Sequence, residues 1–526
     1  MQSSRPGGDG VNRRKFLKLS AAGAAAAAVS GPFIWTKRGS AAPFGEVPTE
    51  AVGAMLPMEA RATNVLEVFL YGGLSPWETL YMVEEYGTPS DPTYPNQQFY
   101  TFGGTGSSSV SRALSDCNFP GGEPMGEFFA KDANNADVNL GPFAYRLRQR
   151  ADITARMRLL VQKHTLEPHE AAVPQALTGK GVGIPSAAGL GSHMQRYFAE
   201  RADASRKSPF SYVFAVGGLA GDNVSAAAST GLHPGVARPL LIKIDNAQGF
   251  TDLLARGEVG SLDSRDKYDQ VVSAYADQYR NRLRWQGQGD PVRSTRFTDA
   301  EQAIKAVGGV DAISAVMDSS LFIDQAGLAC GDSNSQDIPG MSLNAARHLL
   351  THPTEPARYV CVSDIGLYEA SGGGGYDVHS RNSVDTARNF DNLLRNLTAI
   401  INMPGENDPT KLDLDKTLII LNTEFGRTPF AQGGGSGRNH HPYGYVTAMI
   451  GGPVTAAQSG IHGAIGPNGL ATGDYIKPTE NRIAALLALG IWPFSPEGFG
   501  VSDVRNAGDE VAAAKAVALR ALGYSL

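Results

Sequence analysis

A carboxylate, a guanidinium and two adjacent histidines follow one apolar run in this sequence. Residues 417–421 have the length and branching of a buried strand, and they lead at once into Glu424 and Arg427. A glycine-rich loop then ends in His440 and His441. Open α/β sheets form their binding sites where strands end. The stretch therefore predicts a site at the carboxyl end of a buried strand.

A second pair of candidate ligands comes directly after four consecutive glycines. Asp377 and His379 form a D-x-H pair there, and glycine lets a backbone fold closely around an ion. With Glu424 and the adjacent histidines they supply the carboxylate and imidazole donors that suit zinc and other divalent ions. Such an ion would lower the pKa of bound water from about 15.7 to about 7 and polarise an ester oxygen.

Each of these residues also has a structural alternative. Glu424 and Arg427 could form a buried ion pair that clamps the loop, and the histidines could hydrogen-bond within it. In the functional interpretation, Arg427 instead holds a phosphate or sulfate oxygen in fork geometry.

Further polar residues follow two earlier predicted strands. Glu78 lies beyond a Gly-Gly turn, and His164, Thr165 and His169 lie at a strand-to-helix turn. Glu78 and the two histidines could complete a two-metal centre, whose ions lie about 3.5–4 Å apart. Thr165 is a candidate nucleophile. The alternatives are a helix-capping segment around Ser75 and Glu78, and histidines that serve as cap or core residues.

The N-terminal residues predict export. Residues 1–42 contain Arg13 and Arg14 followed by an alanine-rich stretch, a pattern typical of a twin-arginine signal peptide. The apolar stretch is too short for a stable membrane span. A basic amphipathic helix or a retained anchor is the alternative. We therefore expect the twin-arginine translocase as a partner and a periplasmic or secreted location.

The composition and charge of the chain exclude some classes of function. The chain has 526 residues, 42% hydrophobic and 19% charged, which is ordinary globular composition. Residues 1–42 hold seven Lys or Arg and one Asp, so their removal changes the formal charge from −6 to −12. An acidic protein is a poor partner for nucleic acid or anionic membrane. The three cysteines are too widely spaced to be a zinc cluster, and two of them could form a single disulfide.

Apolar runs and helical periodicity alternate along the chain. They predict strands at 65–71, 158–163, 212–216, 240–244, 359–363, 417–421 and 446–452. They predict helices at 144–157, 300–325, 384–403, 479–489 and 511–522, with a helical run ending at 178. This alternation predicts an α/β fold with a mostly parallel central sheet and helices on both faces. We expect a linker at 43–61 and a single domain at 62–526 with a helical insertion near 250–298.

Several motifs resemble those of the family named domain of unknown function 1501. They are GGLSPWET at 72–79, HTLEPHEAAVPQALTG at 164–179, GYDVHS at 375–380, NTEFGRTP at 422–429, GRNHHPYG at 437–444 and MIGGPV at 449–454. The resemblance implies an exported bacterial protein with an alkaline phosphatase-like fold, in a superfamily that includes sulfatases and phosphomutases.

The same resemblance implies roles for individual residues. Asp377 and His379, with one of the histidines at 440 and 441, match ligands of a first metal. Glu424 and Glu78 match the acids of a second metal, and His169 falls near the place of the sulfatase nucleophile. Three departures stand out: Phe425 replaces a His or Asn, Glu78 is longer than Asp, and His169 is not a Ser, Thr or Cys. Water, Thr165 or Ser75 then remains as nucleophile.

The sequence therefore predicts an exported, metal-dependent hydrolase of phosphate or sulfate esters, with a small molecule or glycan ester as substrate. Zinc is the first expectation for the divalent metal, and manganese, calcium and magnesium stay open. The alternative is a non-catalytic periplasmic or surface binding protein with a vestigial or structural metal site. A redox protein is disfavoured because no GxGxxG, CxxCH or cysteine cluster is present.

Overall fold

The computed structural model describes most of the chain beyond the predicted signal peptide. The described residues are 43–86, 115–119, 126–184, 187–202, 206, 208–216, 218–231, 238–244, 270, 271, 274, 278, 330, 337–367, 375–430, 432, 437–495 and 497–526. The predicted signal peptide at 1–42 lies outside these residues. So do the helix predicted at 300–325 and nearly all of the insertion predicted near 250–298.

The described strands are short and, in the central sheet, mostly buried. They are β1 (Asn64–Leu70), β2 (Glu127–Lys131), β3 (Asp137–Leu140), β4 (Met157–Gln162), β5 (Ser211–Ala215), β6 (Leu240–Lys243), β7 (Tyr359–Asp364), β8 (Thr417–Asn422), β9 (Gly426–Arg427), β10 (His440–His441), β11 (Tyr445–Gly451), β12 (Gly460–His462), β13 (Ala464–Ile465) and β14 (Ala471–Thr472).

Eight of these strands form one mixed sheet in the order β12-β4-β11-β8-β1-β7-β5-β6. In this sheet β11 runs antiparallel to both of its neighbours, and the other pairings are parallel. The strands β1, β4, β7 and β8 therefore end at the same edge. The seven predicted strands all appear in this sheet, and the mostly parallel α/β prediction is confirmed.

The helices follow or precede these strands along the chain. They are α1 (Tyr145–Arg148), α2 (Ala151–Thr154), α3 (His169–Thr178), α4 (Leu190–Ala199), α5 (Gly218–Ala228), α6 (Ile338–Leu350), α7 (Asn382–Ala399), α8 (Pro478–Ala488) and α9 (Glu510–Leu522). Short 3-10 helices occur at Thr49–Ala54, Met58–Ala60, Pro142–Ala144 and Val501–Asp503. None of the helices among the described residues is both long and apolar enough to cross a membrane.

Two hydrophobic cores lie on the two faces of the sheet, and β1 contributes to both. Leu66 and Val68 belong to the core that includes residues of α6 and α7. Val65 and Phe69 belong to the core that includes residues of α3, α8 and α9. Because side chains alternate between the faces of a strand, this division requires helices on both sides. The central strands are thus buried on both faces, as their continuous apolar sequence indicates.

Phe44–Leu526 forms one compact unit, and it includes residues 44–61 of the segment that was predicted as a linker at 43–61. Ala54 and Leu56 of this segment are buried in one of the two cores. Cys117 and Cys330 form a disulfide across 213 residues of chain. Cys361 is free and buried in β7.

Candidate metal centre

The loops that follow the parallel strands bring acidic and imidazole groups to one edge of the sheet. Gly72 follows β1, Asp377 follows β7, Glu424 follows β8, and His169 opens α3 after β4. His440 lies on β10, which pairs with β9 just beyond Glu424. The site thus assembles where the carboxyl ends of parallel strands meet.

One oxygen of Asp377 is the centre of the cluster. Its Oδ1 atom lies 3.0 Å from Nε2 of His379 and 3.4 Å from Nε2 of both His169 and His440. The Nε2 atoms of His379 and His440 are 3.1 Å apart. The donor atoms of His169, Asp377 and His440 all lie within 4.8 Å of one another. Zinc bonds of about 2.0–2.1 Å in a tetrahedron imply ligand separations of roughly 3.3 Å, so the two separations of 3.4 Å from Asp377 Oδ1 suit one ion. His379 is not part of this mutually close group of three.

Each of the three histidines turns its other ring nitrogen toward an oxygen atom. The Nδ1 contacts are His169 with Glu424 Oε1 at 2.8 Å, His379 with Gln432 Oε1 at 2.9 Å, and His440 with the Glu167 carbonyl oxygen at 2.8 Å. These oxygens can only accept, so Nδ1 carries the hydrogen and the lone pair sits on Nε2 in the neutral ring. Metal-binding histidines are oriented by hydrogen bonds of this kind.

The Nε2 atom of His169 is buried and makes no hydrogen bond among the described residues. Buried polar atoms without partners are rare in proteins, and each one calls for an explanation such as an ion. The side chain of His169 is fixed by Glu424 on one edge and faces Asp377 with the other. A cation bound between His169 and Asp377 would satisfy this atom.

Glycine lets the backbone of β1 approach the cluster. Gly72 has a φ of +109°, and a Cβ atom built on it would lie 2.1 Å from the backbone nitrogen of Asp377. Its own N–H donates to Glu424 Oε1 at 2.8 Å. Glu424 therefore accepts hydrogen bonds from both Gly72 and His169, and any side chain at position 72 would separate these groups.

Aromatic rings hold two of the histidines in place. His169 lies between Tyr71 and Phe425, with ring centroids 5.1 and 4.9 Å away. Phe425 also stacks on His440 at 4.5 Å. Phe425 thus packs against two of the clustered imidazoles at the position where the resemblance led us to expect a polar residue. Its aromatic type after a predicted strand-end acid was the only sequence signal for this role.

Arg427 is fully buried and pairs with Asp377. Its Nη2 donates to Asp377 Oδ1 at 2.5 Å and also to the Gly72 carbonyl. Its Nη1 donates to the Arg438 carbonyl at 3.0 Å, and its Nε donates to the Gly73 carbonyl at 3.3 Å. A carboxylate has about four acceptor positions, so Asp377 can bind both Arg427 and an ion. In this arrangement Arg427 clamps Asp377, and holding a substrate oxygen would require it to leave these partners.

The electrostatics of the cluster show competition between a proton and a cation. Burial opposes charge on Asp377, but the close imidazoles of His169, His379 and His440 and the charge of Arg427 hold its pKa well below the ordinary value. Burial lowers the pKa of His169, but Asp377 and Glu424 raise it by a larger amount, so that the pKa increases to about 9. Without an ion, a proton on His169 occupies the side facing Asp377. Metal binding displaces such protons.

Glu78 lies in a different buried network. Its Oε1 accepts from Arg438 Nη2 at 2.5 Å and from Asn382 Nδ2 at 3.3 Å, and its Oε2 accepts from the Ser75 hydroxyl. The structure does not bring Glu78 into the cluster around Asp377. Its ligation of a second metal stays a prediction from the sequence.

The remaining candidates lie beside the cluster with other partners. His441 points away from His440, as neighbours on a strand must, and its Nε2 contacts the Gly469 carbonyl oxygen at 2.7 Å. His164 Nε2 contacts the Glu424 carbonyl oxygen at 2.6 Å. Thr165 is exposed in the loop between β4 and α3. Of the two adjacent histidines, the structure therefore brings only His440 to Asp377.

A cavity of about 680 Å³ lies at the other edge of the sheet. Asn64 and Thr417, at the first residues of β1 and β8, belong to its lining. The cluster lies at the opposite ends of these strands. The chemistry of converging donors, rather than cavity size, therefore locates the candidate site.

Together these features define an α/β protein with a histidine–carboxylate cluster at the carboxyl edge of a mixed sheet. A family model described as "Protein of unknown function (DUF1501)" matches residues 62–474, and the chain belongs to this family. The family predicted from the motifs is thereby confirmed. No curated protein matches the chain.

Proposed function

We propose that this protein is an exported, metal-dependent hydrolase of phosphate or sulfate esters with an alkaline phosphatase-like fold. One observation carries the proposal: three Nε2 atoms converge on Asp377 Oδ1, while all three Nδ1 atoms face oxygen acceptors. Nitrogen donors favour zinc over calcium and magnesium, and manganese is the next candidate. A divalent ion held there would polarise an ester oxygen and lower the pKa of water.

The chain's own residues have distinct roles in this proposal. His169, Asp377 and His440 hold the ion, and His379 lies next to them. Glu424 orients His169 through its Nδ1, in the manner of carboxylates behind metal-bound histidines. The side chain of His379 is 32% exposed, more than those of His169, Asp377 and His440. A substrate would therefore approach from the side of His379. Water or the exposed Thr165 remains as candidate nucleophile.

Two features support export to the periplasm or beyond. The twin-arginine pattern at 1–42 predicts the translocase as partner. The Cys117–Cys330 disulfide is of the kind that persists in oxidising compartments. A small-molecule or glycan ester is the proposed substrate, and the acidic mature chain argues against nucleic acid.

Metal analysis of the protein purified through its own export route tests the proposal. We expect about one zinc or manganese per chain and hydrolysis of aryl phosphate or sulfate esters that chelation abolishes. His379→Ala should lose activity but keep its fold, and His441→Gln is the matched control on the neighbouring residue. Undiminished turnover after complete metal removal would contradict the proposal.

A non-catalytic binding protein is the second candidate. A fourth protein donor, from His379, would close the tetrahedral shell, and closed shells of this kind are typical of structural zinc sites. Arg427 also turns its donors toward the protein. Under this alternative, His379→Ala would lower the melting temperature, and neither the unmodified protein nor this variant would hydrolyse esters.

A further inference from the structure

With a divalent ion bound, the cluster would have a small positive charge. Asp377 and Glu424 contribute two negative charges and Arg427 one positive charge, and all three side chains are nearly or fully buried. Histidines that bind a metal through a lone pair are neutral. A divalent ion would bring the net charge of the site to +1. Buried charges are poorly screened by solvent, so this sum acts on any group that binds the ion.

Among the described residues, the cations on the adjacent segments are engaged elsewhere. Arg438 pairs with Glu78 at 2.5 Å, and Arg381 pairs with Asp385 at 3.4 Å. Lys163 places its ammonium group over the ring of Tyr475. The two ion pairs are neutral overall, and the ring contact holds the ammonium group of Lys163 at Tyr475.

Two sequence segments next to the cluster residues add no positive charge. The pieces at 368–374 and 431–436 contain no Lys or Arg. Beside His169 and His440, Glu167 and Glu170 are exposed carboxylates. The surroundings therefore do not raise the positive charge of the cluster.

We propose that the site prefers esters whose reacting group carries one negative charge, namely sulfate monoesters or phosphate diesters, over phosphate monoesters. This inference rests on the proposed hydrolase function. A phosphate monoester carries nearly two negative charges at neutral pH, because its second pKa is about 6. A site of charge +1 neutralises a monoanion but leaves a dianion with excess charge close to Asp377 and Glu424. Charge complementarity of this kind determines which ligand is accepted.

Three 4-nitrophenyl substrates test the preference on the zinc-loaded, full-length protein at pH 8. They are 4-nitrophenyl sulfate, methyl 4-nitrophenyl phosphate and 4-nitrophenyl phosphate. Dividing kcat/KM by the rate constant of the uncatalysed reaction removes their different intrinsic reactivities. We expect this normalised kcat/KM of at least one of the two monoanions to exceed that of the dianion by tenfold or more. Comparison of the two monoanions shows whether the site accepts a sulfate ester or a phosphate diester. A dianion hydrolysed best would overturn the preference but leave the hydrolase function in place. Hydrolysis of none of the three would overturn both.

A charge-changing variant provides an independent check. Glu424→Gln raises the site charge from +1 to +2, so the dianion-to-monoanion ratio of kcat/KM should rise about tenfold in protein shown to retain one zinc. Glu170→Gln removes an exposed carboxylate, which solvent screens, and should change the ratio less than twofold. An unchanged ratio in Glu424→Gln would contradict the role of buried charge.

Discussion

Replacement of Glu424 tests whether this carboxylate orients His169 or binds the metal itself. Its Oε1 accepts from His169 Nδ1 and from the Gly72 N–H, both at 2.8 Å. Loss of such an orienting group typically costs about 10- to 100-fold in metal affinity, or about 1.4–2.7 kcal/mol. We expect Glu424→Ala to lie at the upper end, because it removes both hydrogen bonds. Glu424→Gln keeps an acceptor oxygen and should lie at the lower end.

Competition with a coloured zinc chelator measures this affinity directly. Circular dichroism and the melting temperature must first show that each variant is folded, since Glu424→Ala leaves the buried Gly72 N–H without its acceptor. Glu170→Gln, on the exposed side of α3, is the control for charge alone. Unchanged zinc affinity in Glu424→Ala would refute the orienting role. Loss of more than about a thousandfold would instead indicate a ligand.

Three further predictions concern stability. Gly72→Ala should lower the free energy of unfolding by more than about 2 kcal/mol in chemical denaturation, because its Cβ would meet the backbone of Asp377 and its φ is positive; a loss below 0.5 kcal/mol, in the range of ordinary surface substitutions, would contradict the close approach. Burial lowers the pKa of His462 to about 4, so stability should be full above pH 6.5 and fall by about 3 kcal/mol toward pH 4; His462→Gln should flatten this profile, and an identical profile would contradict it. Reduction of the Cys117–Cys330 disulfide should lower the free energy of unfolding by about 5 kcal/mol, since the bond closes a long loop. Calorimetry with and without reductant measures this loss, and an unchanged melting temperature would contradict the presence of the disulfide.

The central sheet could be predicted because its strands are buried on both faces. Such strands are continuous apolar runs, as in Thr417–Asn422 and Tyr359–Asp364. The hairpin of β2 and β3 was not predicted, because Glu127–Lys131 is partly exposed and mixes charged and aromatic residues. The helix predicted at 144–157 is divided into α1 and α2.

The residue types of the candidate site could be predicted from the sequence, but the individual role of each residue could not. Glu424 and Asp377 are both candidate acidic ligands in the sequence, and only the structure shows that Glu424 contacts Nδ1 of His169 while Asp377 faces its Nε2. His169 and Glu424 are 255 residues apart, and local periodicity carries no information on such a contact. The choice of His440 over His441 depends on the two-residue strand β10, which the glycine-rich sequence around it concealed.

The most direct test of the metal centre is anomalous diffraction at the zinc absorption edge from crystals of the protein purified with its metal. We predict one strong peak about 2.0–2.2 Å from Asp377 Oδ1 and from the Nε2 atoms of His169 and His440. A stoichiometric metal whose peak lies elsewhere in the molecule, or a cluster that binds no metal at saturating zinc, would contradict the account.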